Sequence, residues 1–176
     1  MDKVNMAKFL TQCAVPVKKK DDRIYDCVWR AHRDVLAGRF YLLKYQNFSH
    51  DMVDNLCEVI KNYKKRKNLL TSNMLIQKLK GKYETVEFGA IQKLANMSLK
   101  YLLILKEYES LDIKIDEKNC DCPLDSYILK KIGHREINWT SINPKEYKEM
   151  QNIIKEYPES KNGNIYFDFL HWNQLG

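Results

Sequence analysis

Glycine and proline are scarce in this sequence, which has only six glycines and four prolines in 176 residues. Internal repeats are absent, and the strict alternation of apolar and polar residues that marks a half-buried β-strand is hard to find. These absences argue against a mainly β fold. Apolar residues recur at helical spacing instead, and the length suits one substantial core. The sequence therefore predicts a compact, all-α single domain over residues 1–176.

The sequence also lacks any long apolar run. A membrane-spanning helix needs about 18 to 20 consecutive apolar residues, and even the stretch 94–105 is interrupted by Asn96, Ser98 and Lys100. The cysteines are odd in number, at five, and no charged segment followed by an apolar segment and a cleavage site precedes them. We therefore expect a soluble protein with no membrane partner. Its expected location is the cytoplasm or the nucleoid, and secretion is not expected.

Negative charge is in the minority, because the formal net charge is +7 and the isoelectric point is about 9.0. Such a balance favours a polyanionic partner, with nucleic acid the foremost class. Four of the basic residues cluster at the end of a predicted helix, at Lys61, Lys64, Lys65 and Arg66. This cluster has two interpretations, a solvated helix face or a set of contacts to phosphates.

The spacing of apolar residues and of helix-capping residues predicts eight helices. They lie at about 5–13, 23–43, from 49 into the basic cluster, from 71 or 72 to 79, 88–105, from 123 onward, 143–158 and 163–174. Gly81 is expected in the turn between the fourth helix and the fifth. Pro123 is expected in the first turn of the sixth. The two helices around Gly81 form a helix, tight connection, helix motif.

Three polar side chains interrupt the apolar helix predicted at 88–105. Lys93, Asn96 and Lys100 fall at i, i+3 and i+7, which aligns them on one helix face. Two amines beside apolar surface are costly unless they are paired, solvated in a cleft or needed for function, because desolvation disfavours the charged form. This stripe is the first indication of a functional site.

Two of the charged residues suit covalent chemistry. Asp125, soon after Pro123, is expected in the first turn of a helix, where amide donors and the helix dipole keep a carboxylate ionised. Lys93 lies near a helix start, where the dipole, the nearby Lys100 and partial burial favour a neutral, nucleophilic amine. Structural interpretations also exist, namely a simple helix-terminal carboxylate and a lysine that faces phosphate or extends to solvent.

Together these features resemble a known family. Four features occur together: a helix, a connection that contains a glycine, Gln92 and Lys93 at the start of the next helix, and Asp125 opening an Asp-x-x-Ile-Leu-Lys segment. This combination resembles the helix-hairpin-helix DNA glycosylases. The sequence is most similar to the archaeal 8-oxoguanine DNA glycosylases, including the separation of 32 residues between Lys93 and Asp125. The resemblance implies a hairpin at about 82–92, a nucleophile at Lys93, and a cation-stabilising carboxylate at Asp125.

The resemblance also implies the other parts of the site. Asp168 and Trp172, at i and i+4 near the C-terminus, match residues that contact the base. The implied base-binding set is Lys100, Asp168, Trp172, Gln12 and Trp29. The implied contacts to the DNA backbone are Gly89, at a hairpin that commonly carries two glycines, and Lys61, Lys64, Lys65 and Arg66.

The implied activity is excision of an oxidised purine, 8-oxoguanine above all, by a monomer that acts on double-stranded DNA with a damaged base. A lysine Schiff base would add lyase activity. No cofactor is implied, although a structural monovalent cation at the hairpin is left open. No metal is expected either, because Cys120 and Cys122 lack a second Cys or His pair at zinc spacing. Two alternatives remain, a non-catalytic module that binds DNA or a modified base and a helical protein-interaction domain.

Overall fold

A computed structural model describes residues 22–36, 49–108 and 111–172, apart from the side chains of residues 36, 49, 107, 108 and 172. Over these ranges the chain forms seven α-helices and two 3₁₀ helices. The α-helices are α1 (Arg23–Leu36), α2 (Ser49–Arg66), α3 (Ser72–Lys82), α4 (Phe88–Tyr108), α5 (Ser126–Lys131), α6 (Pro144–Lys155) and α7 (Ile165–Trp172). The 3₁₀ helices are Glu117–Asn119 and Pro158–Asn162.

The all-α prediction is confirmed over the described residues, where β pairing is limited to an isolated bridge between Leu70 and Ile115. The predicted helix at 5–13 and the end of the one predicted at 23–43 lie outside these residues. Within them, no helix combines the length and apolar character that a bilayer crossing requires.

Two details of the helix prediction were wrong. Gly81 does not form the turn, because α3 continues to Lys82 and the backbone N–H of Tyr83 closes its last turn on Leu79. Pro123 does not enter a helix either. The helix begins only at Ser126, after Asp125 has capped it with its side chain.

Helix α4 is the centre of the structure. Every residue from Gly89 to Leu105 is buried. Helices α1 and α3 both pack against it, and α2 packs against α1 and α3. A helix that is apolar on most sides is stable only inside a protein, so the sequence of α4 determines its central position.

Polar contacts join α1 to its neighbours. The Tyr101 hydroxyl on α4 donates to Asp34 and accepts from the Arg30 Nε at 3.3 Å. The Trp29 ring of α1 stacks on His32 and on His50 of α2, at centroid distances of 5.5 and 5.1 Å. Trp29, expected in a base pocket, thus contributes to the packing of α1 on α2.

The C-terminal part of the chain is held to the segment before α5 by backbone contact. Gly163 has a φ of 137°, and a Cβ there would lie 2.0 Å from the carbonyl oxygen of Glu117. Only glycine fits this conformation and this approach. The backbone N–H of Ile165 then donates to the Cys120 carbonyl at 3.1 Å, which fixes the start of α7 beside the same segment.

The burial of His32 predicts a pH dependence of stability. Burial first, and then repulsion from His50, lower the pKa of His32 from 6.5 to about 4. Its Nδ1 has no hydrogen-bond partner among the described residues. Below pH 6.5 the unfolded chain gains a proton that the folded chain does not bind, so the free energy of unfolding should fall by about 2 kcal/mol between pH 7 and pH 5. Urea unfolding of wild type and of His32→Phe at both pH values would measure this effect. The contribution of His32 is the difference between the two proteins in how far the free energy of unfolding falls. Equal pH dependence in the two proteins would contradict it.

Candidate functional site

Two lysines of α4 form ion pairs with two aspartates from elsewhere in the chain. The Lys93 Nζ lies 3.5 Å from the Asp125 Oδ2, and Lys100, two turns further along α4, is paired with Asp168 of α7. The two pairs influence each other. Burial raises the pKa of Asp168, Asp125 raises it further, and Lys100 and Lys93 act in the opposite direction. The structure therefore brings together four of the predicted site residues.

Asp125 uses its two carboxylate oxygens differently. Oδ1 accepts hydrogen bonds from the backbone N–H groups of Tyr127 and Ile128, each at 3.0 Å, which caps α5. Oδ2 faces the Lys93 amine. The side chain is 29% exposed, against 11% for that of Lys93. One oxygen is thus fixed by the helix start, while the other belongs to a pair that is partly exposed to solvent.

Gln92 fixes the backbone immediately before Asp125. Its Nε2 donates to the Leu124 carbonyl at 2.8 Å, and its Oε1 accepts from the Leu124 N–H at 3.2 Å. The amide is fully buried. This two-bond contact ties Leu124 to the α4 residue that precedes Lys93, so it sets the distance between the amine and the carboxylate.

Trp139 completes the surroundings of the amine. The Lys93 Nζ lies 4.5 Å from the centroid of the Trp139 ring, which is within the range of a cation–π contact. Sequence reasoning missed this residue, because it lies in an irregular polar segment where no periodicity marks an aromatic side chain. Gln92 was noticed only as the neighbour of Lys93. An amide within a predicted apolar helix, next to the polar stripe, was the signal that could have identified it.

Gly89 has a packing role in this arrangement. It lies in the first turn of α4, and a Cβ there would be 2.0 Å from the carbonyl oxygen of Trp139 and 2.6 Å from that of Thr140. The glycine thus lets the segment with Trp139 lie directly on the start of α4, which puts the indole beside Lys93. The predicted contact of Gly89 with a DNA phosphate stays a prediction.

The polar side chains of the predicted stripe on α4 have different partners. Lys100 is fully buried, pairs with Asp168 and lies 5.5 Å from the centroid of the Phe169 ring. Asn96 instead donates to the Tyr147 hydroxyl at 2.9 Å, and this hydroxyl donates to Asp121 at 2.7 Å. The cost of burying polar groups on this helix is thus offset by specific partners from α5, α6, α7 and the segment before α5.

The remaining predicted residues lie elsewhere or outside the described part. Gln12 and the side chain of Trp172 lie outside the described part of the chain. The basic cluster of Lys61, Lys64, Lys65 and Arg66 occupies the last turns of α2, and Lys61 pairs with Asp22. Its contact with phosphate stays a prediction.

Cys120 and Cys122 are buried, free thiols. Burial raises the pKa of both Cys120 and Cys122 well above the ordinary value, which favours the protonated form. The Cys120 thiol donates to the Asp116 carbonyl. Within the ranges that the structure covers, no group of three or more His, Cys, Asp or Glu side chains has a metal-binding arrangement.

Comparisons of the chain with protein-family models, curated proteins and solved structures found no match. The function is therefore inferred from the residues and their geometry.

The buried ion pair of Lys100 and Asp168 leads to a stability prediction. Lys100→Met should cost about 3 to 5 kcal/mol, because it leaves Asp168 buried without a countercharge. Lys100→Met combined with Asp168→Leu should recover most of this loss, since no buried charge then remains. Urea unfolding at pH 7 measures both.

The matched control for this pair is Lys106→Met. Lys106 lies on the same helix and pairs with Glu117 at the surface, with both side chains about one-third exposed. Lys106→Met should therefore lower the free energy of unfolding by less than about 1 kcal/mol. A Lys100→Met loss no larger than that of the control would show that the buried pair is not a folding constraint.

Proposed function

We propose that the protein is a DNA glycosylase with associated apurinic-site lyase activity, which removes an oxidised purine, 8-oxoguanine above all, from double-stranded DNA. The observation that carries the proposal is the pairing of Lys93 with Asp125 at 3.5 Å. An amine beside a carboxylate, partly buried and covered on one side by an indole, suits attack on a sugar carbon. The resemblance to the helix-hairpin-helix glycosylases assigns these two residues those roles.

In the proposed reaction the damaged nucleotide leaves the base stack and enters the site, because the glycosidic bond is inaccessible inside a duplex. The bond between C1′ and the base breaks, and the base leaves with the bonding electrons and then gains a proton. Asp125 stabilises the positive charge that develops on the sugar. The Lys93 amine, once it has lost a proton, forms a bond to C1′.

The lyase step follows from the same covalent bond. Opening of the sugar ring converts the Lys93 adduct into a Schiff base, and this cation acidifies the hydrogen on C2′. Loss of that proton expels the 3′ phosphate and cleaves the strand. Hydrolysis of the imine then releases Lys93, so that the amine is regenerated.

The proposal also assigns the recognition groups. The resemblance assigns the base contacts to Lys100, Asp168, Trp172, Trp29 and Gln12. Lys100 and Asp168 are paired and closed to solvent in this structure, so they would have to open before they could contact a base edge. Helix α3, residues 83–87 and the start of α4 would form the hairpin that holds a backbone phosphate near Gly89. The basic cluster of α2 would add attraction that does not depend on sequence.

A second candidate is a non-catalytic module that binds DNA or a modified base. The observation that favours it is the ion pair of Lys93 and Asp125 itself. Oδ2 of Asp125 faces the Lys93 amine and so occupies the place from which a substrate would have to reach that amine. Such a pair also serves as a structural tie between α4 and α5. Schiff-base trapping separates the two candidates, and a weak salt dependence of DNA binding would instead favour a protein-interaction domain.

The nucleophile can be tested by chemical trapping. With borohydride present, wild type should form a covalent complex with a duplex that contains 8-oxoguanine, because reduction of the imine makes the bond permanent. Lys93→Gln should lose this complex while it keeps its helical circular dichroism. Lys106→Gln, at the other end of α4, is the matched control and should retain it. Survival of the complex in Lys93→Gln would show that another amine attacks.

Asp125→Asn tests the carboxylate separately from the fold. Asparagine caps helices as well as aspartate does, so α5 should form normally and DNA binding should change little. Base release in single-turnover experiments should fall by about 100-fold or more, because the charge that stabilises the sugar cation is gone. Undiminished release would remove Asp125 from the mechanism.

A further inference from the structure

A groove of about 1010 Å³ lies between α3, α6 and the two 3₁₀ helices, and neither Lys93 nor Asp125 lines it. Five lysines line this groove, at positions 80, 118, 148, 155 and 161. The Lys80 amine donates to the backbone carbonyls of Glu84 and Val86. The other four lysines are exposed and have no ion-pair partner among the described residues.

The groove contains little negative charge to balance these amines. Asp121 is the one carboxylate in its lining, and it accepts a hydrogen bond from the Tyr147 hydroxyl. The four acids on the bordering helices all have partners outside the groove lining. Glu146 accepts from the Asn143 N–H, Glu149 pairs with Lys145, Glu117 pairs with Lys106, and Glu159 lies 4.0 Å from the His171 Nε2. The groove therefore carries excess positive charge.

Side-chain amides add hydrogen-bonding capacity between the lysines. Asn73 and Gln77 of α3 and Asn152 of α6 line the groove and are exposed. The hydroxyl of Ser160, also in the lining, is buried and has no hydrogen-bond partner among the described residues. An amide offers both a donor and an acceptor, which is what a base edge requires.

We propose that this groove binds a single strand of nucleic acid, with the lysines on its phosphates and the amides on its base edges. Its volume is at the top of the range of about 300–1,000 Å³ that small-molecule pockets occupy, which favours an extended ligand. A single strand can offer phosphates and unpaired base edges to one groove, whereas a duplex buries much of each base in pairing. The proposal does not depend on glycosylase activity.

The test measures binding of an undamaged, fluorescent oligodeoxynucleotide of about ten nucleotides, within the range of about 4–16 that single-strand grooves cover. In Lys148→Gln/Lys155→Gln the dissociation constant should rise about tenfold. The slope of log affinity against log salt should fall by about 1.4, because each lost phosphate contact removes about 0.7. The control Lys114→Gln/Lys131→Gln removes the same charge from exposed residues outside the groove lining. It should keep wild-type affinity within about threefold and leave the slope unchanged.

Two results would overturn the proposal. An equal loss of affinity in both double variants would mean that only the net charge matters. Competition by deoxyadenosine monophosphate as strong as by the oligonucleotide would mean that the groove takes a single nucleotide and not a strand. Because the probe carries no lesion and no covalent step is measured, failure here leaves the borohydride trapping result unaffected, and failure of trapping leaves this result unaffected.

Discussion

The burial of two ammonium groups on α4 is the constraint on which the rest of the structure depends. A helix buried from Gly89 to Leu105 can carry Lys93 and Lys100 only if carboxylates from other segments reach them. Asp125 and Asp168 do so, one at the cap of α5 and the other on α7. Each pair therefore satisfies a charge and also docks a later element onto the central helix.

The two pairs differ in how far they are closed to solvent. Lys100 and Asp168 have almost no exposed side-chain surface, whereas about a tenth of the Lys93 side chain and more than a quarter of the Asp125 side chain are exposed. The deeper pair is thus closed to solvent, whereas the outer pair stays partly open to it. Gln92 on one side and Trp139 on the other hold this outer pair in place. The same helix supports stability at one turn and the proposed reactivity at another.

Much of the helical framework was predictable, because its signals are local. The start of α3 at Thr71 or Ser72, the start of α6 at Asn143 and the long apolar run of α4 each depend on neighbouring residues, and they form where expected. Pro123 misled the prediction because the competing signal was not local. Gln92 and Gln151 hold the backbone at Leu124 and Cys122, which keeps the segment out of a helix until Asp125 caps α5.

By itself, the sequence determined an all-α chain over the described residues, an excess of positive charge, and a central helix with a polar stripe, because composition and periodicity are properties of the chain itself. Only the tertiary structure decided the partner of each polar group. The pairing of Lys93 with Asp125, the diversion of Asn96 to Tyr147, and the placement of Trp139 through Gly89 all join residues that are distant in sequence. Such contacts depend on how helices pack in three dimensions, and no spacing along the chain encodes them.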